Sequence, residues 1–70
     1  MKFIDLLKHI DCEQEIKVCI LAENGTEVKF TISGDKASVS LLISENYKQA
    51  DVDSIAGREN RLVVWLNDLD

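Results

Sequence analysis

Residues 15–33 read EIKVCILAENGTEVKFTIS, and the fold turns on how this stretch pairs with itself. In Glu15–Ala22, the residues Ile16, Val18, Ile20 and Ala22 alternate with Glu15, Lys17, Cys19 and Leu21. In Thr26–Ser33, Val28, Phe30 and Ile32 alternate with Glu27, Lys29 and Thr31. A period of two marks a strand with one face inward, and Asn24-Gly25 between two such runs marks a hairpin. The apolar rows then select the register. A two-residue Asn-Gly loop would set Ile20 against Lys29 and Cys19 against Phe30, sending the two rows to opposite faces. A three-residue loop, Glu23-Asn24-Gly25, sets Ile20 against Val28, Val18 against Phe30 and Ile16 against Ile32. All six then share one face, with Gly25 in the left-handed position. The pattern therefore predicts the three-residue loop.

Working outward, Phe3, Leu6, Leu7 and Ile10 recur at spacings of three and four, which predicts a short amphipathic helix over residues 2–10. Residues 34–50 fit two readings. Ala37, Val39, Leu41 and Ile43 alternate as in a strand, while Val39, Leu42, Ile43 and Tyr47 fit one helical face with Asp35 as a cap. Val52–Ala56 and Leu62–Leu66 read as two further strands around a polar loop at Gly57-Arg58-Glu59-Asn60. The last strand is apolar on both faces, as in a strand covered on both sides. Asn67–Asp70 reads as a frayed tail.

The order of these elements resembles a known group. The helix-like DLLKHID, then IKVCILAENG, a glycine-containing connector with Leu41-Leu42, and VDSIAGRENRLVVWL together are similar to small uncharacterised proteins encoded in phages and mobile elements of gut Firmicutes. The resemblance covers nearly the whole chain and lies in fold-level patterns without chemistry. It implies a short helical or irregular connector, although ISENYKQAD is longer here than is usual in the group. No activity comes with it. The expected fold is α+β, one domain over residues 1–70: an N-terminal helix packed on a small, mostly antiparallel four-stranded sheet, with the connector between two hairpins.

Composition narrows the function. Seventy residues suit one small domain, and 46% apolar with 30% charged residues suits a folded core. No apolar run approaches the length of a membrane span, and the start Met1-Lys2-Phe3-Ile4-Asp5 is unlike a secretory signal, so the expected location is the cytoplasm. Net charge is −5, shared by both halves, and the 8 basic residues are interleaved with 13 acids. This opposes duplex binding and reads as a solvated surface.

Candidate chemistry is thin. Cys12, Cys19 and His9 make three soft ligands where structural zinc uses four, so no metal or cofactor is expected and both thiols should be free. Ser33, Ser38, Ser40, Ser44 and Ser54 lack a nucleophile elbow. Asp51 and Asp53 read as solubilising charge. The segment from Asp51 lacks both the turn glycine and the final acid of a calcium loop. Asn24-Gly25-Thr26 matches a glycosylation acceptor but is explained by the hairpin, and Gly25, Gly34 and Gly57 are too dispersed to cradle a phosphate. The expectation is a non-catalytic protein-interaction module, an accessory protein of a phage or mobile element, with an unidentified protein partner or its own copies as the ligand. An acidic nucleic-acid mimic that blocks a host protein is the alternative, and a small ligand-binding protein or enzyme a distant third. The candidate patch is Cys19, Leu21, Val63 and Trp65 on the second face of the sheet; the other register of the last strand would bring Leu62, Val64 and Leu66 there instead, and Leu41, Ile43 or Tyr47 of the connector could cover it.

Overall fold

The computed structural model describes residues 1–22 and 27–68. The elements are α1 (Phe3–Leu7), β1 (Glu15–Leu21), β2 (Val28–Gly34), α2 (Lys36–Leu42), α3 (Glu45–Lys48), β3 (Val52–Arg58) and β4 (Arg61–Asn67). The fold is α+β, with three short helices and a four-stranded sheet of order β2-β1-β4-β3. The sheet is mixed rather than mostly antiparallel. Its two hairpins are joined through their inner strands, and β1 runs parallel to β4. Antiparallel neighbours can be linked by tight turns, whereas a parallel neighbour requires a crossover. The segment holding α2 and α3 supplies that crossover between the hairpins.

The register of the first hairpin differs from the expected one by two residues. Ile20 pairs with Phe30, Val18 with Ile32 and Ile16 with Gly34. A register shift lies between Ile20 and Leu21, beyond which Leu21 pairs with Val28 and the Ala22 N–H donates to the Glu27 carbonyl at 2.8 Å. The inward row of β1 still meets Phe30 and Ile32, because a two-residue slip preserves the face. Val28 does not stay in that row, because the shift sets it opposite Leu21 on the other face. The bulge thus changes parity between the turn end and the body of the hairpin. The loop Glu23-Asn24-Gly25 and the conformation of Gly25 lie outside the described residues.

The second hairpin extends further than its apolar run. Arg58 pairs with Arg61 across a turn of only two residues, Glu59 and Asn60, with φ of 50° and 65°. Positive φ at both positions suits the right-handed twist of a hairpin. Asn67 belongs to β4, its N–H donating to the Asp51 carbonyl at 3.1 Å, so the tail does not begin there. Residues 69–70 lie outside the described residues.

The connector resolves into helices. Asp35 caps α2 by accepting the Ser38 N–H at 2.8 Å, and Ser44 caps α3 by accepting the Tyr47 N–H at 3.4 Å. Between them Ile43 is extended (φ −82°, ψ 139°), which ends α2 and turns the chain. Gly34 makes the entry into α2 possible. Its φ is +146°, and a Cβ there would stand 3.0 Å from the Ser38 Cβ. At the N-terminus, α1 is shorter than residues 2–10. It ends at Leu7, and the N–H groups of His9 and Ile10 reach back three residues to Leu6 and Leu7. The Phe3 N–H donates to the Ala50 carbonyl and the Val52 N–H to the Met1 carbonyl, tying the N-terminus to the start of β3.

One core results. Phe3, Leu7, Ile10, Val39, Ile43 and Ala50 are buried with Ile16, Val18 and Ile20 of β1 and Val64 and Leu66 of β4. Each fully buried aliphatic side chain here contributes about 1.5–3 kcal/mol relative to exposure. Because strand residues alternate, the helices all lie on the even-numbered side of β1 and β4.

Two backbone predictions follow from these angles. Gly34→Ala should lower stability by about 2 kcal/mol through its strained φ and the Ser38 contact, while Glu59→Gly should raise it by about 1 kcal/mol. Urea unfolding of both variants checks the signs. A third concerns acid. The hydrogen bond from the Ser38 backbone holds the Asp35 carboxyl below its ordinary value of 3.8. A lowered folded value stabilises above the unfolded value and loses that effect as pH falls through the folded one. Asp35→Ala should therefore melt lower than the parent at neutral pH, with the gap closing below pH 3.8; thermal melts across pH measure it.

Candidate functional site

Alternation assigns Cys19 and Leu21 of β1 and Val63 and Trp65 of β4 to the helix-free face of the sheet. Their strands are adjacent and in register, with Cys19 beside Trp65 and Lys17 beside Val63. On the outer strands, Thr31 flanks Cys19, Val28 flanks Leu21, Ser54 flanks Trp65 and Ala56 flanks Val63. The four patch residues are thus neighbours. The connector does not cover them, since Ile43 and Tyr47 pack into the core on the other side and Leu41 is 87% exposed.

Their exposure is uneven. Cys19, Leu21 and Val63 are already buried at 4%, 6% and 6%, and Trp65 is partly exposed. The apolar surface open on this face therefore centres on Trp65, with Val28 at its edge. A glutamate at Leu21 would bury a carboxylate and test folding more than docking.

One end of the face is basic. Lys17, Arg58 and Arg61 fall on it by alternation, accompanied by Glu15, whose carboxylate lies 3.6 Å from the Arg61 guanidinium. Arg58 has no ion-pair partner among the described residues. At this end a cavity of about 330 Å³ is bordered by Gln14, Gly57, Arg58, Glu59, Asn60, Arg61 and Leu62. The Gln14 amide donates to the carbonyls of Glu15 and Asn60, fixing β1 to the turn, and the Arg61 Nε is buried without a partner. The sequence showed these arginines only as interleaved charge, since their meeting depends on a two-residue turn.

The residues weighed for chemistry are dispersed. His9 and Cys12 are exposed, and Cys19 lies in the middle of β1. Among the described residues no three His, Cys, Asp or Glu side chains gather to hold a metal ion, and no helix is long and apolar enough to cross a membrane. The perturbed acids serve structure. Besides Asp35, the Tyr47 hydroxyl donates to Asp68 at 2.8 Å, and this bond, with burial and the negative charge of Asp68, pushes its pKa above 10. Asp68 also meets Lys29 at 2.9 Å, and the Tyr47 ring stands edge-on to Phe30 with centroids 5.5 Å apart. This group ties α3, β2 and the end of β4 together.

No family model, curated protein or solved structure matches the chain, so the likeness drawn from the order of elements rests on that order alone.

The two thiols should react differently. In native protein a thiol reagent should modify Cys12 quickly and leave Cys19 protected, and denaturation should release the second equivalent. Equal native rates at both would contradict the burial of Cys19.

Proposed function

We propose that this protein is a non-catalytic interaction module, an accessory protein that holds an acidic segment of a partner protein against the helix-free face of its sheet. The observation that carries this reading is the position of Trp65, partly exposed at the middle of a sheet whose helices all lie on the other side. A tryptophan with small neighbours is a common anchor for a partner side chain. Lys17, Arg58 and Arg61 at one end favour a partner carrying carboxylates, and rim charges of this kind act mainly on encounter and register. The dispersal of titratable groups supports a binding role over a catalytic one, because active sites gather perturbed groups in a cleft. The resemblance to small proteins of phages and mobile elements goes with an accessory role. A single strand of nucleic acid fits less well, since the face offers one aromatic and the chain carries a net charge of −5.

Capture from lysate of the encoding organism, on immobilised parent, Trp65→Ser and Arg58→Glu, tests the reading. A protein retained by the parent should be lost on Trp65→Ser, and should weaken several-fold on Arg58→Glu and as salt rises. Equal retention on parent and Trp65→Ser, or retention of a single-stranded oligonucleotide instead, would overturn it.

A further inference from the structure

The basic residues of this acidic chain are not used alike. Among the 8, Lys2 donates to Gln49, Lys36 to the Ile10 carbonyl, Lys29 meets Asp68, Lys48 meets Glu45 and Lys8 lies 3.9 Å from Asp5. The others, Lys17, Arg58 and Arg61, gather at one end of the helix-free face. Among the described residues no acceptor engages the Lys17 ammonium or the Arg58 guanidinium. Arg61 has the Glu15 carboxylate at 3.6 Å, longer than a hydrogen bond, and its Nε is buried with no partner. Neither guanidinium is therefore held by an acceptor among the described residues.

The backbone sets the two arginines against each other. Arg58 and Arg61 are directly opposed across the antiparallel β3–β4 pair, fixed there by the turn at Glu59-Asn60. Opposed side chains on a sheet start about 5 Å apart, and like charges so placed repel. The acids at this end are Glu15, beside Arg61 on β1, and Glu59 in the turn. Lys17 follows one step along the same face of β1, beside Val63, and Val63 is paired with Ala56. Long cationic side chains thus surround the short ones of Ala56 and Val63.

We propose that Arg58, Arg61 and Lys17 form an oxyanion site for a phosphate monoester, carried by a phosphorylated serine or threonine in the partner's segment. The inference rests on the partner reading of this face and specifies the anion that anchors it. One arginine fork fills both oxygens of a carboxylate, whereas two opposed forks call for an anion with more acceptors. A phosphate monoester carries three acceptor oxygens and close to two negative charges, which suits a fork from each arginine and the ammonium of Lys17. It also replaces the repulsion between the guanidiniums with a shared counter-charge. Exposed charge pairs are weak, so inorganic phosphate alone should bind only at millimolar concentration. Trp65 lies four positions along β4 from Arg61, about 13 Å. In an extended partner segment the phosphorylated residue therefore falls about four residues from the one that meets Trp65.

Amide chemical shifts of the isotope-labelled full chain, followed at constant ionic strength, test this. The probes are inorganic phosphate, N-acetyl-phosphoserine amide and N-acetyl-glutamyl-glutamate amide. Phosphate and the phosphoserine probe should shift the signals of Lys17, Arg58 and Arg61 saturably, the phosphoserine probe binding more tightly than the glutamate pair. Arg58→Gln and Arg61→Gln should each weaken that binding about tenfold, and Trp65→Ser should leave it unchanged, with circular dichroism verifying each fold. Shifts without saturation, shifts spread equally over Lys2, Lys8 and Lys36, indifference to both arginine variants, or preference for the glutamate pair would each overturn the proposal. In the lysate capture, phosphatase treatment should weaken Trp65-dependent retention several-fold. Retention unchanged by it would overturn the phosphate site and leave the partner reading standing. Saturable phosphate binding with no captured protein would support the site and overturn the partner reading.

Discussion

The parallel pairing of β1 with β4 is the contact on which the rest of this structure depends. Ile16, Val18 and Ile20 on one strand and Val64 and Leu66 on the other are fully buried, and they form the floor on which every helix rests. Neither hairpin has this floor alone, and isolated two-stranded hairpins are marginal in water. Joining them through their inner strands also decides which strands become edges. β2 and β3 are left outside, and the crossover that joins the hairpins carries the helices to one side.

That one decision separates the molecule into surfaces with different physics. The helix side is closed over the core. The opposite side exposes a tryptophan beside small, nearly buried neighbours, with basic side chains gathered at one end although the chain as a whole is acidic. The β2 flank is apolar and weakly charged. The polar groups with shifted acidity, Asp35 and Tyr47, cap a helix and tie elements together. Asp35 and Tyr47 thus serve structure, and the partly exposed Trp65 is the surface on which the binding role proposed above would draw.

Much of this order is legible in the sequence, and the losses have physical causes. The alternation in residues 15–33 gives two strands and the inward row of Ile16, Val18 and Ile20 facing Phe30 and Ile32, because burial enforces parity, but it places Val28 on the wrong face. It cannot give the absolute register, since slips of two residues satisfy the same pattern. The bulge that moves Val28 to the other face leaves no mark in a count of apolar residues. Asp35 is readable as a cap because its side chain acts on its own segment. The parallel β1–β4 contact is not readable, because it joins distant segments whose apolar runs would suit either direction. The patch residues Cys19, Leu21, Val63 and Trp65 are brought together as a set, yet Cys19, Leu21 and Val63 are buried, which a one-dimensional pattern does not weigh. Leu41 carried a signal of its own. It lies about 200° from Val39 around a helix and so points away from the core, whereas Leu42 fits the buried face in the pattern but is exposed at the last residue of α2.

The direction of β4 beside β1 is the most direct point of test. Inter-strand nuclear Overhauser contacts in isotope-labelled protein resolve it without any variant. This account predicts contacts that advance together along both strands: Glu15 with Arg61, Lys17 with Val63, Cys19 with Trp65 and Leu21 with Asn67. Contacts running in opposite senses, such as Glu15 with Asn67 and Leu21 with Arg61, or contacts from β1 to β3 in place of β4, would contradict it.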